Sequence, residues 1–166
     1  TSRYFGNLFK KDKYKFDYYY KIFINRTSDL LKQIGVNINT SPVLDLRRKN
    51  ASNVIGDRSF SNKINIVNKI GDHCIKLYHR NNIGTVIKHI PGHGLAKVDS
   101  HKLTPIVDAK LDYLKKNDFF VFRKKKSFFA MTAHIIYSDI DKINTATHSK
   151  KIIKLIRNNI KFNNII

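Results

Sequence analysis

The sequence has few residues that stabilise a fold by means other than a hydrophobic core. Its 166 residues include one cysteine, three prolines and no tryptophan. A single thiol, Cys74, excludes an internal disulfide and favours a reducing compartment. The longest apolar run, Phe128 to Tyr137, is interrupted by Thr132 and His134 and is well short of the ~18 residues that span a bilayer. A disulfide scaffold and a helical membrane protein are therefore excluded.

Targeting features are also missing from the N-terminus. Residues 1–15 contain neither an apolar h-region nor a small-residue cleavage site, so no secretory signal is recognised. The first residue is Thr1 rather than Met, which suggests a natural start further upstream. Together with the single cysteine, these features predict a cytoplasmic protein without membrane contact.

Acidic residues are scarce. Twelve Asp and Glu face 32 Lys and Arg, for a formal charge of +20. This charge raises the alternative of a polyanion-binding protein. The cations are nevertheless spread along the chain, and clusters such as Arg47–Lys49 and Arg123–Lys126 match no nucleic-acid module. We interpret the charge as a solvated surface and expect no nucleic-acid partner.

Hydrophobic residues make up 42% of the chain, enough for the core of one domain. Apolar strands and amphipathic helices alternate. Strands are predicted at 36–46, 83–89 and 128–135 with another opening at 163, and helices at 22–34, 62–80, from Thr104-Pro105 onward, and at 149–160. This alternation is typical of an α/β protein with a parallel sheet covered on both faces. A doubly wound sheet and a (β/α)8 TIM barrel both fit. Because a complete barrel takes about 250 residues, the barrel interpretation makes residues 1–166 a single domain that holds only central βα units.

Polar residues collect where the predicted strands end. Asp45, the pair Lys88-His89, and His134 each lie at such a position. In a barrel these ends form one rim, and the active site lies on that rim.

The segment KHIPGHGLAKVDSH, from Lys88 to His101, is the densest group of reactive side chains. A carboxylate at Asp99 can orient the imidazole of His101 and raise its basicity, as general acid–base catalysis requires. The same segment also offers imidazole and carboxylate ligands for zinc, through His89, His93, Asp99 and His101, although their spacing matches no standard zinc signature.

A second segment, NVIGDRSF, places Arg58 in a turn after a strand. Its guanidinium is a rigid donor fork that suits oxygen-rich ligands. The alternative is an ion pair with Asp45 or Asp57 that only pins the loop.

Together these segments resemble a known family. IGVNINTSPVLDL, VIGDRSFS, VIKHIPGHGLAKVDSHKLTP and AMTAHIIYSDID are similar, in order and spacing, to bacterial family 3 glycoside hydrolases of the β-N-acetylhexosaminidase type. The resemblance extends from about Leu30 to Ile166. Its most specific part is KHxPGHGxxxxDSH in the same chain as GDRS[FY].

The resemblance implies a (β/α)8 barrel and a retaining two-step hydrolysis without a cofactor or a metal. It makes His101 the acid/base, with Asp99 as its partner. The ordinary imidazole pKa of ~6.5 suits this role, because the group can both give and take a proton near neutral pH. The sugar-binding residues that it implies are Arg58, Lys88 and His89, supported by Asp45, His93 and His134.

The expected substrate is a saccharide with a terminal β-linked N-acetylglucosamine, from cytoplasmic muropeptides in peptidoglycan recycling, and the expected state is a monomer. Two family features are missing. The nucleophilic Asp of an SDD-like motif would follow Ile166, and a QEGG-like motif would precede Thr1. Residues 1–166 are therefore expected to be inactive by themselves, and Asp139 and Asp141 are not substitutes. A non-catalytic truncated remnant stays an alternative.

Overall fold

The computed structural model describes residues 1–100 and 102–166. The prediction for His101 lies outside the described residues. The helices are α1 (Ser2–Lys11), α2 (Lys13–Gln33), α3 (Ile64–Arg80), α4 (Leu111–Lys116) and α5 (Lys150–Leu155). The strands are β1 (Ile38–Asn39), β2 (Gly84–Ile90), β3 (Ile106–Val107), β4 (Phe129–Thr132) and β5 (Ile136–Tyr137).

The main sheet is parallel and follows the order β1-β2-β4. A further parallel bridge joins Phe129 to Ile165, which continues the sheet in chain order. Sequential parallel strands without a switch point between them are the arrangement of a barrel wall. The α/β prediction is confirmed. The parallel order brings the ends of β1, β2 and β4 to one edge, where the predicted site residues follow the strands.

Helices α1 and α2 precede the first strand, where no element was predicted before residue 22. Asp12 begins α2, because its carboxylate accepts a hydrogen bond from the Lys15 amide at 3.0 Å. Phe16, Tyr20 and Ile24 recur every four residues on α2 and are all buried. This spacing indicates a helix that starts before residue 22, where the sequence analysis placed its beginning. No helix among the described residues combines the length and apolar character that crossing a bilayer requires.

Helix α3 confirms the prediction for residues 62–80. Val67, Ile70, Cys74 and Leu77 lie on its buried face, as their spacing indicated. Burial raises the pKa of the Cys74 thiol to about 11, so that it stays protonated at neutral pH. The helix ends at Asn81, whose amide donates to the Leu77 and Tyr78 carbonyls.

The helix predicted from Thr104-Pro105 is wrong. Ile106–Val107 forms β3 instead, which pairs in parallel with β5 at Ile136 and Tyr137. The helix starts at Leu111, where the amide donates to the Asp139 carboxylate at 2.9 Å. That carboxylate comes from 28 residues further along the chain, so local sequence did not reveal it.

The other boundaries differ by less. The strand predicted at 36–46 pairs only at 38–39 and again at Val43, and the one at 128–135 is paired over 129–132. The helix at 149–160 begins as α5 and passes into a π-helical turn, Ile156–Ile160. It ends at Lys161, whose φ of 60° leaves the helical region.

Candidate active site

Asp45 is the centre of the polar network at the ends of the strands. Its side chain is fully buried and accepts a bond from His89 Nδ1 at 2.7 Å. It also accepts the backbone amides of His89 at 3.1 Å and His93 at 2.6 Å. A carboxylate that accepts this many hydrogen bonds holds the loop after β2 in one conformation. The structure thus joins Asp45 to His89, which is 44 residues further along the chain, and to His93, which is 48 residues further along.

This network also fixes the tautomer of His89. The Asp45 oxygens already act as acceptors for two backbone amides, so we assign the proton of the bond to Asp45 to Nδ1 of His89. The second ring nitrogen, Nε2, is then the atom that a ligand would meet. The side chain keeps 16% of its surface exposed, so a ligand can reach it.

Lys88 and Arg58 lie within electrostatic range of each other. Lys88 ends the regular part of β2, and its ammonium donates to the Thr40 hydroxyl at 3.3 Å. Burial lowers the pKa of Lys88, and the positive charge of Arg58 lowers it further. Two cations at this edge of the sheet suit an oxygen-rich ligand.

Arg58 is exposed at the end of a short 3-10 turn, Gly56–Arg58. Its Nε and Nη2 donate to the carbonyl of Val54 in the same loop. Asp57 pairs with Arg3 at 3.0 Å, and none of the ion pairs among the described residues joins Arg58 to Asp57 or Asp45, as the alternative required. Within the described residues, Nη1 of Arg58 makes no hydrogen bond and is available to a ligand.

His93 links the loop to the same network. Its Nε2 lies 3.1 Å from the Ser100 hydroxyl, and its ring centroid is 5.4 Å from that of His89. Burial lowers the pKa of His93, with the positive charge of Arg58 among the smaller causes. The imidazole is therefore neutral at pH 7. Its contact with the Ser100 hydroxyl ties Ser100 to the base of the site.

The backbone of Asp99 is hydrogen-bonded to residues further along the chain. Its carbonyl accepts the amides of Lys102 and Leu103, both at 3.0 Å. Ser100, the next residue, is held by His93. Ser100 is thus placed beside the ring of His93, whereas His101 itself is not among the described residues.

His134 is exposed. It follows β4, whose residue Thr132 pairs with Ile90 of β2, and it therefore lies on the same edge of the sheet. Its Nδ1 lies 3.4 Å from the Thr147 hydroxyl, and its ring centroid is 5.7 Å from that of His148. These contacts lie within the loop that leads to α5 rather than with Lys88 or His89. The supporting role of His134 stays a prediction.

Sequence reasoning missed the ion pair between Arg48 and Asp118. Nη2 of Arg48 lies 2.7 Å from a carboxylate that is 1% exposed. Burial raises the pKa of Asp118, although Arg48 opposes this. Arg48 was counted only as part of a basic cluster. The apolar neighbours of Asp118, in NDFFVF, were the available signal for a buried carboxylate.

This ion pair supports the glycine-rich part of the loop. A Cβ added to Gly94 would lie 2.4 Å from the Leu46 carbonyl oxygen and 2.9 Å from Oδ1 of Asp118. The Tyr137 hydroxyl donates to the Gly92 carbonyl on the other side. Only glycine allows the loop to lie this close to the floor below it.

Among residues 1–100 and 102–166, no three His, Cys, Asp or Glu side chains are grouped as the ligands of a metal ion would be. The Asp45 oxygens, which a metal would need, already accept hydrogen bonds from His89 and His93.

Comparison with known proteins shows the family to which the chain belongs. The model of the glycosyl hydrolase family 3 N terminal domain matches residues 9–166. The chain belongs to glycosyl hydrolase family 3. The family 3 chain is 31% identical over 138 residues to a β-hexosaminidase of Idiomarina loihiensis, a match that covers 82% of this chain and 41% of that protein. It is 34% identical over 115 residues to β-hexosaminidase A of Pseudoalteromonas piscicida, covering 67% of this chain and 19% of the relative.

Solved structures support the barrel interpretation of the family 3 chain. NagZ from Neisseria gonorrhoeae, in complex with N-trifluoroacetyl-D-glucosamine, superposes with a TM-score of 0.91 at 27% identity. The match covers 99% of this chain and 50% of NagZ. The prediction of parallel βα units from a TIM-barrel-like domain is confirmed. The chain spans half or less of the length of these relatives.

Proposed function

We propose that this chain supplies the proton-transfer and sugar-binding residues of a retaining β-N-acetylhexosaminidase. The observation that carries the proposal is the attachment of the Lys88–His93 segment to buried Asp45, beside Arg58. Membership of family 3 and the similarity to β-hexosaminidases support the same activity.

Arg58, Lys88 and His89 bind the sugar in this proposal. Arg58 offers Nη1 and Lys88 its ammonium to hydroxyl oxygens, while His89 presents Nε2 because Asp45 occupies Nδ1. Each group is positioned before substrate arrives, which lowers the entropic cost of orienting the sugar. The NagZ complex with an N-acylated glucosamine supports an N-acetylglucosamine unit as the bound sugar.

His101 is proposed as the acid/base and Asp99 as the residue that orients it. In the first step His101 gives its proton to the glycosidic oxygen as the bond to the anomeric carbon breaks. In the second step it takes a proton from the water that attacks the same carbon. The carboxylate that forms the glycosyl-enzyme is expected, in the family pattern, at a position that follows Ile166.

The proposed substrate is a cytoplasmic muropeptide with a terminal β-linked N-acetylglucosamine, and the proposed setting is peptidoglycan recycling. The protein is proposed to act as a monomer without a cofactor, away from nucleic acid and membrane. The distribution of charge over many separated lysines supports the absence of a nucleic-acid partner.

Kinetics of the full gene product on a chromogenic β-N-acetylglucosaminide test this proposal. Asp99→Asn should lower kcat by about 10²- to 10⁴-fold, since general acid–base catalysis contributes that much. Asp112→Asn, an exposed carboxylate in α4, is the matched control and should keep normal turnover. Near-normal kcat in Asp99→Asn would remove Asp99 from the proposed pair.

The sugar-binding residues have a different signature. Arg58→Met and Lys88→Met each remove a cation while keeping an unbranched apolar stem. Both should lower kcat/KM, with a rise in KM, because they lose contacts to the bound sugar. Unchanged kcat/KM in both variants would contradict the assignment of these two residues to sugar binding.

A further inference from the structure

A cavity lies at the opposite end of the sheet from the proposed sugar site. It has a volume of about 720 Å³, and seven residues line it: Asp72, Ile75, Lys76, His79, Arg80, Lys124 and Lys126. His79 Nε2 lies 3.0 Å from the hydroxyl of Thr85, near the start of β2. Because a strand rises ~3.3 Å per residue, the cavity is roughly 13 Å from His89 at the other end of β2.

Cations are concentrated in this cavity beyond the general charge of the chain. Lys and Arg make up 32 of 166 residues, about one in five, but four of the seven lining residues. They come from two elements, since Lys76 and Arg80 lie on α3 while Lys124 and Lys126 precede β4. None of these four forms an ion pair with a carboxylate within the described residues.

The one carboxylate in the lining is already neutralised. Asp72 accepts a bond at 2.8 Å from Lys125, whose side chain is only 3% exposed and also donates to Asn68. Lys125 therefore points into the protein, while its neighbours Lys124 and Lys126 line the cavity. The positive field of the remaining four cations is left for a ligand.

The floor of the cavity is apolar and contains a fixed ring. Ile75 is buried, and His79 stacks on Phe128 with ring centroids 4.3 Å apart. Burial lowers the pKa of His79, so this ring is neutral at pH 7. A flat ring can lie against Ile75 and His79 while its anionic groups reach the lysines.

We infer that this cavity binds a nucleoside polyphosphate, whose phosphates meet Lys76, Arg80, Lys124 and Lys126 and whose base lies on Ile75 and His79. Two members of the cluster Arg123–Lys126, Lys124 and Lys126, thereby gain a role that the sugar site does not give them. The inference does not rest on the glycosidase proposal.

Calorimetric titration of the purified protein with ATP at about 0.1 M salt tests the inference. The double variants Lys124→Gln/Lys126→Gln and Lys76→Gln/Arg80→Gln should each bind at least roughly tenfold more weakly, since each loses two close charges. Lys150→Gln/Lys151→Gln, two exposed lysines of α5, is the charge-matched control and should bind within about twofold of the unmodified protein.

Three results would overturn the inference. The first is the absence of saturable ATP binding by the unmodified protein at millimolar ligand. The second is an equal loss in the Lys150/Lys151 control, which would show that only the overall charge attracts ATP. The third concerns the base: ATP should bind more tightly than inorganic triphosphate, and equal binding would contradict a site for the ring.

Discussion

At the scale of single residues, Asp45 is the side chain on which the candidate site depends most. Its exposure is 0%, and it accepts hydrogen bonds from the backbone amides of His89 and His93 and from the ring Nδ1 of His89. Removing its charge leaves these donors facing an amide. We therefore expect Asp45 to determine both the stability of the loop and the orientation of His89.

Asp45→Asn should destabilise the protein by about 3 kcal/mol, the usual cost of breaking a buried charged network. Urea denaturation measures this change. Asp17→Asn is the control, because Asp17 is 64% exposed and meets His73 only at 3.9 Å. If the two variants unfold at the same urea concentration, the buried network contributes nothing to stability.

His93 should make the protein sensitive to acid. Burial lowers its pKa in the folded state below the ordinary value of 6.5, as it also does for His73 and His79. The unfolded chain then binds more protons, so the free energy of unfolding falls as pH drops below about 6.5. Urea midpoints between pH 7 and 5 should decrease, and His93→Gln should flatten the decrease. A midpoint that rises toward pH 5 would contradict the sign.

Most residues of the candidate site could be identified from the sequence, but the side chains with which they interact could not. Lys88, His89 and Arg58 stood out because reactive side chains followed apolar strands. Asp118 did not, because nothing near it in the chain shows that Arg48, 70 residues earlier, supplies its counter-charge. Long-range ion pairs of this kind depend on packing that local patterns do not encode.

At the scale of elements, the loop after β2 is held by close approach as well as by hydrogen bonds. Gly94→Ala would force a methyl group against the Leu46 carbonyl and Asp118. Overpacking of this kind costs about 1–3 kcal/mol. Gly84→Ala is the milder comparison, since its Cβ would lie 3.3 Å from a side-chain carbon of Ile38, a tight contact that a small shift of this side chain relieves. Equal urea midpoints for the two variants would show that the loop has room to move.

Helix α2 depends on its N-terminal cap. Asp12→Ala removes the acceptor for the Lys15 amide and should cost about 1 kcal/mol. Asp29→Ala, at an exposed position inside the same helix, should have little effect or slightly stabilise the protein, because alanine favours helix. Circular dichroism during thermal unfolding compares the two. A higher melting temperature for Asp12→Ala than for Asp29→Ala would contradict the capping role.

Elements with a strong internal period were predicted well, and elements set by distant contacts were not. Helix α3 matches its prediction because Val67, Ile70, Cys74 and Leu77 repeat at helical spacing. The helix expected after Thr104-Pro105 failed because β3 takes its hydrogen-bond partners from β5, some thirty residues away. The helix-capping preference of Thr104-Pro105 was outweighed by the strand pairing between β3 and β5.

At the scale of the molecule, the sequential parallel sheet gathers the candidate site residues on one edge. The ends of β1, β2 and β4 bring Thr40, Lys88 and Thr132 to the same side. The barrel interpretation explains why residues as distant as Arg58 and Lys88 interact. It also separates the two proposed sites, since the basic cavity lies near the start of β2.

Chemical rescue of the full gene product with His101→Ala tests the central claim, that an imidazole beside Asp99 transfers the proton. With a dinitrophenyl β-N-acetylglucosaminide, whose leaving group needs no acid, the first step should stay fast and the hydrolysis of the glycosyl-enzyme should become slow. Added azide, which needs no general base, should restore turnover and yield the β-glycosyl azide. Full turnover without azide, or no product of retained configuration with it, would contradict the role of His101.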